Sequence, residues 1–308
     1  MSGSPDPSLV TSLCGIGLRN PVLAASGTFG YGVEFEKLVD LNALGGLVVK
    51  GLSREPIEGN PPPRIYETEG GMINSIGLQN MGVRAFVSQR LPALAKLDTA
   101  VLANVFGYEI GDYVEVVRVL EDHPGLAAYE LNVSCPNTSH GGIYFSSDPG
   151  LLAEVVSAVK RVARRPVIVK LSPNVAAIEP LARAAEAAGA DGLSLVNTFI
   201  ALAIDPHTRR PRIGAGFGGL SGPAIKPIAL RLVCQAARAV KIPVIGLGGI
   251  ATGLDAAEFL IAGATAVQVG TATFWDPRSP LRIARELAAF LKKERIASVS
   301  ELVNTLTL

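Results

Sequence analysis

The chain predicts an α/β protein of the (β/α)8 TIM-barrel type, and three observations carry that reading. Eight short apolar runs recur along it, nearly all followed by a segment whose apolar residues keep helical spacing. They span roughly 250 residues, the ordinary size of such a barrel. Glycine makes up 33 of 308 residues, with 48% hydrophobic and 18% charged content, a composition suited to buried strands joined by tight turns. A doubly wound sheet is the alternative. No G-x-G-x-x-G follows the first strand, however, and no break separates two halves, so a single domain over residues 1–308 is expected.

Residues 1–8 read as a polar start, and Leu9–Leu18, with Gly15 and Gly17, predicts a short hairpin closing one end of the fold. Pro21–Ala25 is the first strand, ending in the glycine-rich loop Ser26–Gly32, and Glu34–Asp40 is expected as a helix. Leu44–Lys50 is the second strand. A long irregular insertion, Gly51–Met81, follows it, with four prolines between Pro56 and Pro63. A stretch of that length inside a compact domain is usually functional. Ala85–Ala95 predicts a helix, Thr99–Val105 the third strand, Asp112–Glu121 a helix and Ala128–Val133 the fourth strand. Pro149–Arg164 is helical by the spacing of Leu151, Leu152, Val155, Val156 and Val159. Pro166–Leu171, Ile178–Ala188 and Gly192–Val196 give strand, helix, strand. Ile200–Gly222 is a second long insertion, turn-rich and basic at Arg209, Arg210 and Arg212. Pro223–Val240, Pro243–Leu247, Leu254–Ala262, Ala266–Gly270 and Pro280–Arg295 complete the alternation.

The bulk properties exclude several classes. A net charge of +1 sets up no long-range field for nucleic acid or an anionic membrane. No apolar run reaches the length of a membrane span, and the opening "MSGSPDPSLV" has neither a signal-peptide core nor a basic amphipathic pattern. Cys14, Cys135 and Cys234 are too widely spaced for a disulfide framework or for a zinc or iron–sulfur motif, so no metal site is expected. The expected location is the cytoplasm.

The chemistry centres on Tyr129–Asn137, "YELNVSCPN". Tyr129–Val133 reads as buried strand, and Pro136 ends it. Asn132 and Cys135 fall on opposite faces of a strict two-residue period, so they converge only if Cys135 lies in the loop beyond the strand. That is the arrangement of an active site on the C-terminal rim of a barrel. A lone Cys is more often a structural thiol, and only its neighbours argue otherwise. Those neighbours are the other strand ends: Ser26, Lys50, Asn104, Asn132, Lys170, Asn197, Gly248 with Gly249, and Gly270 with Thr271. Lys50 shares a face with Val48, and Lys170 with Ile168. Two ammonium groups near a barrel interior predict a bound anion. Asn74, Asn104, Asn132, Asn137 and Asn197 add amides that both donate and accept, a lining for a planar ligand with a carboxylate and amide edges. "GLGGIATG" after strand seven and "VGT" after strand eight mark a phosphate site made of backbone N–H groups near a helix start. The sum suggests a phosphorylated planar cofactor such as flavin mononucleotide (FMN).

At this point the sequence resembles the class 1 dihydroorotate dehydrogenases, flavin barrels of pyrimidine biosynthesis. The resemblance runs from "NPVLAASGTFG" to "VGTATFWDP", through "GNPPPR", "NSIGLQN", "ELNVSCPN", "KLSPNV" and "GGLSGPAIKP". It implies that Cys135 is the base taking the C5 proton of dihydroorotate. It implies that Lys50, Asn74, Ser75, Ile76, Gly77, Leu78, Asn132, Asn137, Asn197 and Thr198 hold the substrate. FMN is then held by Ser26, Lys50, Gly51, Asn104, Asn132, Lys170, Val196, Gly222, Gly248, Gly249, Gly270 and Thr271. Hydride arrival at flavin N5 leaves negative charge near N1 and C2=O, which Lys170 is placed to stabilise. A thiol with an ordinary pKa of about 8.5 is mostly protonated at neutral pH, so activity is expected to rise with pH.

The chain lacks an iron–sulfur cysteine cluster and a dinucleotide fingerprint, so electrons for NAD must leave through another protein. "SGTFGYG" and "GGLSGPAIKP" resemble the class 1B catalytic subunit. That class implies a homodimer core with a partner subunit carrying FAD and a 2Fe–2S cluster, together a heterotetramer. The alternatives are a class 1A homodimer passing electrons to fumarate, another pyrimidine-acting flavin barrel, and a flavin-binding scaffold without turnover. Gly51–Met81 and Pro136–Pro149 are candidates for a lid over the substrate.

Overall fold

A computed structural model describes residues 6–133 and 143–308. Eight parallel strands form a closed barrel. In chain order they are β1 (Val22–Ala24), β2 (Gly46–Leu52), β3 (Ala100–Val105), β4 (Ala128–Asn132), β5 (Val167–Lys170), β6 (Gly192–Leu195), β7 (Val244–Leu247) and β8 (Ala266–Val269). Each pairs with its successor, and β8 closes on β1 through Val267–Val22, Gln268–Leu23 and Val269–Ala24. All eight apolar runs of the sequence form strands.

The interior changes character along the barrel axis. At its floor, Leu23, Val48, Leu102, Ala128, Ile168, Ile245 and Ala266 form an apolar cluster with Leu13 and Leu18. The last two come from the predicted hairpin, Thr11–Leu13 paired antiparallel with Ile16–Leu18, which plugs that end. Two residues further along the same inward faces, Leu102 gives way to Asn104, Ala128 to Glu130, Ile168 to Lys170 and Ala266 to Gln268. All four polar residues are buried, Glu130 and Gln268 at 0% exposure. Such groups persist inside a barrel only with partners or a ligand.

Outside the barrel, amphipathic helices cover the strands. Ile110–Glu121 buries Tyr113, Val116, Val117 and Leu120, and Pro149–Lys160 buries Leu152, Val155, Val156 and Val159. Each such side chain contributes at most about 1.5–3 kcal/mol of apolar burial. Their starts are set by side chains: Glu109 and Asp112 form a capping box, and Asp148 accepts from the Leu151 N–H at 2.9 Å. At the C-terminus of the first helix, the buried Glu121 carboxylate accepts from the backbone N–H of Arg164 (2.7 Å) and Arg165 (3.2 Å). It accepts as well from both guanidinium groups, at 3.1 and 2.9 Å. The chain entering β5 is thereby tied to the helix that precedes β4. Among the described residues no helix is long and apolar enough to cross a membrane.

Three expectations need correction. The helix expected at Glu34–Asp40 is only a 3-10 turn, Val33–Phe35. Asp40 instead caps the next turn, Leu41–Ala43, by accepting from the Asn42 N–H. The helix expected at Ala85–Ala95 is two, Val83–Gln89 and Leu91–Leu94. Pro92 has no N–H with which to continue the first ladder, so Arg90 becomes the joint. The two insertions are not irregular. Ile65–Thr68 and Gly71–Asn74 from the first join Phe199–Ala201 and Gly218–Ser221 from the second in one antiparallel four-stranded sheet. A small ribbon, Ile204–Asp205 with Arg210–Pro211, extends the second insertion.

Candidate active site

The C-terminal ends of the strands and the four-stranded sheet enclose a cavity of about 370 Å³. Its wall collects most of the site residues that the sequence singles out. The strand ends and the turns after them supply Ser26, Lys50, Gly51, Asn104, Asn132 and Lys170, then Val196, Asn197 and Thr198 after β6. The loops after β7 and β8 add Gly248, Gly249, Gly270 and Thr271. The sheet and its loops contribute Asn74, Ile76, Gly77, Leu78 and Gly222. Ser75 is the exception. It is 1% exposed, its hydroxyl accepts from Asn60 Nδ2 at 2.7 Å, and it is absent from the wall. Two residues of a strand-like segment point to opposite faces, which turns Ser75 away while its neighbours line the cavity. Cys135 and Asn137 lie outside the described residues, as does the first half of the Pro136–Pro149 segment.

Hydrogen bonds preset several of these side chains. Ser26 Oγ donates to the Val49 carbonyl at 2.9 Å, and Thr271 Oγ1 donates to Ser221 Oγ at 2.8 Å. Asn197 Nδ2 meets Asn132 Oδ1 at 3.3 Å, while its Oδ1 accepts from the Thr198 N–H at 2.8 Å. Tyr113 reaches in from its helix to donate to the Asn132 carbonyl at 3.0 Å. The end of β4 is therefore held from both sides of the barrel wall.

The two lysines have different surroundings. Lys50 lies within an irregularity in the β2–β3 register between Val49 and Leu52, and its N–H bonds to the Gly30 carbonyl at 2.8 Å. Half-buried, it has a pKa pulled below the ordinary lysine value, first by desolvation and then by the Arg64 cation, against a weaker attraction from Glu34. An anion placed here would relieve both penalties. Lys170 is buried at 6% exposure and ion-pairs with Glu130 at 3.8 Å. Glu130 in turn accepts from Asn104 Nδ2 at 2.8 Å and Gln268 Nε2 at 2.7 Å. The sequence reading missed Glu130 and Gln268. The signal was present: Glu130 shares the inward face of Asn132, and Gln268 is a polar residue in an otherwise apolar strand.

The loops after β7 and β8 supply backbone donors. Gly248 and Gly249 have φ of +126° and +84°, a conformation that strongly favours glycine. A Cβ on Gly249 would sit 2.8 Å from the Gly222 carbonyl oxygen and 3.0 Å from the Lys226 N. No acceptor among the described residues meets the N–H of Gly248, Gly249 or Gly270. The nearby helix Gly253–Ile261 is different, because carboxylates already occupy its N-terminus. Asp255 accepts from the N–H groups of Ala251 and Thr252, and Glu286 from that of Gly253. The donors left for a phosphate are those of the glycine loops themselves, rather than those of the helix the sequence pointed to.

Comparison with known proteins agrees with this geometry. Residues 8–291 match the family model for dihydroorotate dehydrogenase. A Solibacter usitatus protein named "Putative dihydroorotate dehydrogenase A (fumarate)" is 80% identical over 300 residues, covering 97% of this chain and 99% of its own. Proteins named "Dihydroorotate dehydrogenase B (NAD(+)), catalytic subunit" are also similar. That of Geobacter sulfurreducens is 55% identical, covering 97% of this chain and 98% of its own. That of Citrifermentans bemidjiense is 53% identical, covering 98% and 99%. With this match along nearly its whole length, and a barrel mouth of the kind its motifs foretold, the chain belongs to the dihydroorotate dehydrogenase family.

Proposed function

We propose that this protein oxidises dihydroorotate to orotate in pyrimidine biosynthesis, with FMN bound in the barrel mouth. One observation carries the proposal: a single cavity brings together a half-buried cation, a set of amides, a second buried cation and two loops whose backbone N–H groups meet no acceptor among the described residues. The glycine loops suit the phosphate. Ser26, Gly51, Asn104, Val196 and Gly222 suit the rest of the cofactor, and Lys170 its N1–C2=O edge. When bound, FMN supplies the acceptor for the hydride leaving C6 of the substrate. Lys50 holds the substrate carboxylate. Asn74, Asn132, Asn137, Asn197 and Thr198 hold its amide edges, and Ile76–Leu78 cover it. Cys135, on the segment that follows β4, takes the C5 proton on its sulfur. The Cys135→Ala variant is expected to keep its yellow colour and lose turnover by at least a hundredfold. Near-normal turnover would remove Cys135 from the base role.

For the electron acceptor we propose the class 1B arrangement, a cytoplasmic homodimer core served by an FAD/2Fe–2S partner that reduces NAD. The relatives at 50–55% identity that carry the NAD name support it. The fumarate reading has its own observation, the name of the relative at 80% identity. Anaerobic addition of dihydroorotate to the purified chain tests both. Bleaching of the flavin supports the substrate, and a yellow protein that does not bleach would refute it. Reoxidation by fumarate would favour the class 1A reading, whereas reoxidation by neither fumarate nor NAD favours class 1B.

A further inference from the structure

The mechanism above assigns nothing to Glu130, yet this carboxylate sits at the centre of the barrel, one layer below the cavity. It is fully buried and does not line the cavity wall, whereas its partners Lys170 and Asn104 do. Its Oε1 faces Lys170 Nζ and accepts from Asn104 Nδ2, and its Oε2 accepts from Gln268 Nε2. The two amide donors hold the carboxylate from two other strands, β3 and β8. Burying a charge this completely is costly, and a barrel core at this level is ordinarily filled with branched apolar side chains. Packing alone does not call for an acid here.

We infer that Glu130 is a positioning residue for Lys170: it fixes the ammonium beneath the cofactor and offsets its charge, and so sets how strongly the site stabilises negative charge on the flavin. This inference rests on the FMN reading of the cavity. An isolated lysine against the flavin would favour electron-rich flavin strongly and make the cofactor slow to give up its electrons. A counter-charge on the far side of the lysine weakens that pull without removing the cation from the site. The ladder explains how the register achieves this. Glu130 lies beside Ile168 and Asn104 in the sheet, two residues before Asn132, which pairs with Lys170. The acid is therefore one layer down from the lysine's strand position, and the lysine side chain bridges the two layers.

Sulfite reports this balance without substrate turnover. Its lone pair forms an S–N5 bond to oxidised flavin, the displaced electron pair comes to rest in the N1–C2=O region, and the visible absorption bleaches. The variant Glu130→Gln is close in shape to the native residue. Gln268 Oε1 is buried with no hydrogen-bond partner among the described residues, so rotating the Gln268 amide gives the new amide N–H an acceptor. The flavin-loaded Glu130→Gln protein is expected to bind sulfite at least tenfold more tightly than the native one, and Lys170→Gln at least tenfold more weakly. Adding Glu130→Gln to Lys170→Gln should recover at least tenfold, because it removes the uncompensated negative charge left one layer below the flavin. That double variant carries neither buried charge, which keeps the test open if a single variant fails to fold. A Glu130→Gln affinity within twofold of native, or no recovery in the double variant, would overturn the inference and leave Glu130 as scaffold. A colourless native protein would instead overturn the FMN reading on which it rests.

Discussion

Two glycines of the proposed phosphate site look equivalent in sequence but should respond in opposite ways to one added methyl group. Gly249 sits at φ +84°, and its Cβ would meet the Gly222 oxygen at 2.8 Å, Lys226 Cβ at 2.9 Å and Lys226 N at 3.0 Å. Gly249→Ala therefore carries the left-handed backbone cost of ~1–2 kcal/mol and an overpacking cost of ~1–3 kcal/mol. The fold should lose roughly 2–5 kcal/mol before any ligand is considered. Gly270 has an ordinary φ, and its Cβ would find Ala25 Cβ at 3.7 Å and Thr28 at 3.9 Å, normal contacts. Gly270→Ala should leave the apo-protein as stable as the native one, or more stable by about 0.4–1 kcal/mol, through the loss of unfolded-state freedom. Gly270, the residue after β8, lines the cavity, so the new methyl group is added where the flavin phosphate is proposed to approach the backbone. FMN affinity should fall at least tenfold, or about 1.4 kcal/mol. The assay is a urea melt of each apo-protein, paired with a titration of FMN fluorescence quenching. Unchanged FMN affinity in Gly270→Ala, or an apo-protein destabilised by more than about 1 kcal/mol, would refute this account of the β8 loop.

Removing Glu121 should cost roughly 2–3 kcal/mol, below the ~3–5 of a fully buried pair because the Arg164 side chain is largely exposed. A urea melt of Glu121→Ala measures it. Burial alone would raise the Glu121 pKa, but the bonds from Arg164 and Arg165 outweigh burial and hold it below the ordinary value. This contribution is fully present above the unfolded glutamate value of about 4.3 and is lost as pH falls through the folded one. The pH dependence of native and Glu121→Ala melting should therefore converge in acid, and parallel curves would contradict the assignment. Lys50→Met should raise the KM for dihydroorotate about 10- to 150-fold, the loss of one charge-assisted hydrogen bond. With its pKa lowered, Lys50 should lose its hold on substrate at a lower pH than an ordinary lysine would, and Arg64→Gln should move that decline upward. Cys14, whose thiol burial and then the Asp191 carboxylate push up to about 12, should resist iodoacetamide at pH 8 in a peptide-mass assay. Its alkylation at the rate of an exposed thiol would refute that environment.

Barrel strands were legible because each is a short apolar run closed by a polar or glycine residue at the rim, and such rim residues line the cavity. Lys50, Asn104, Asn132 and Lys170 were visible for this reason. The four-stranded cover was not, because Gly71–Asn74 has no local partner for its second edge. That edge pairs with Gly218–Ser221, far along the chain, and no local periodicity announces such a pairing. The helix expected at Glu34–Asp40 failed for a local reason: Asp40 does better capping the following turn than ending a helix. Glu130 shares a face with Asn132 in the two-residue period of "YELN", so its direction was legible; its partners Lys170, Asn104 and Gln268 were not, because they come from three other strands.

That long-range cover also sets a schedule for the newborn chain. Asn74 donates to the Gly219 carbonyl across 145 residues of sequence. At ~5–20 residues per second, a ribosome needs roughly 7–30 s to deliver the second partner after the first. Over that interval the Gly71–Asn74 edge is an open template for any other extended segment. The mouth of the barrel is consequently completed late in synthesis, after strands β1–β6 have emerged. Capture of the proposed cofactor and the choice of a correct sheet partner thus fall in the same late window.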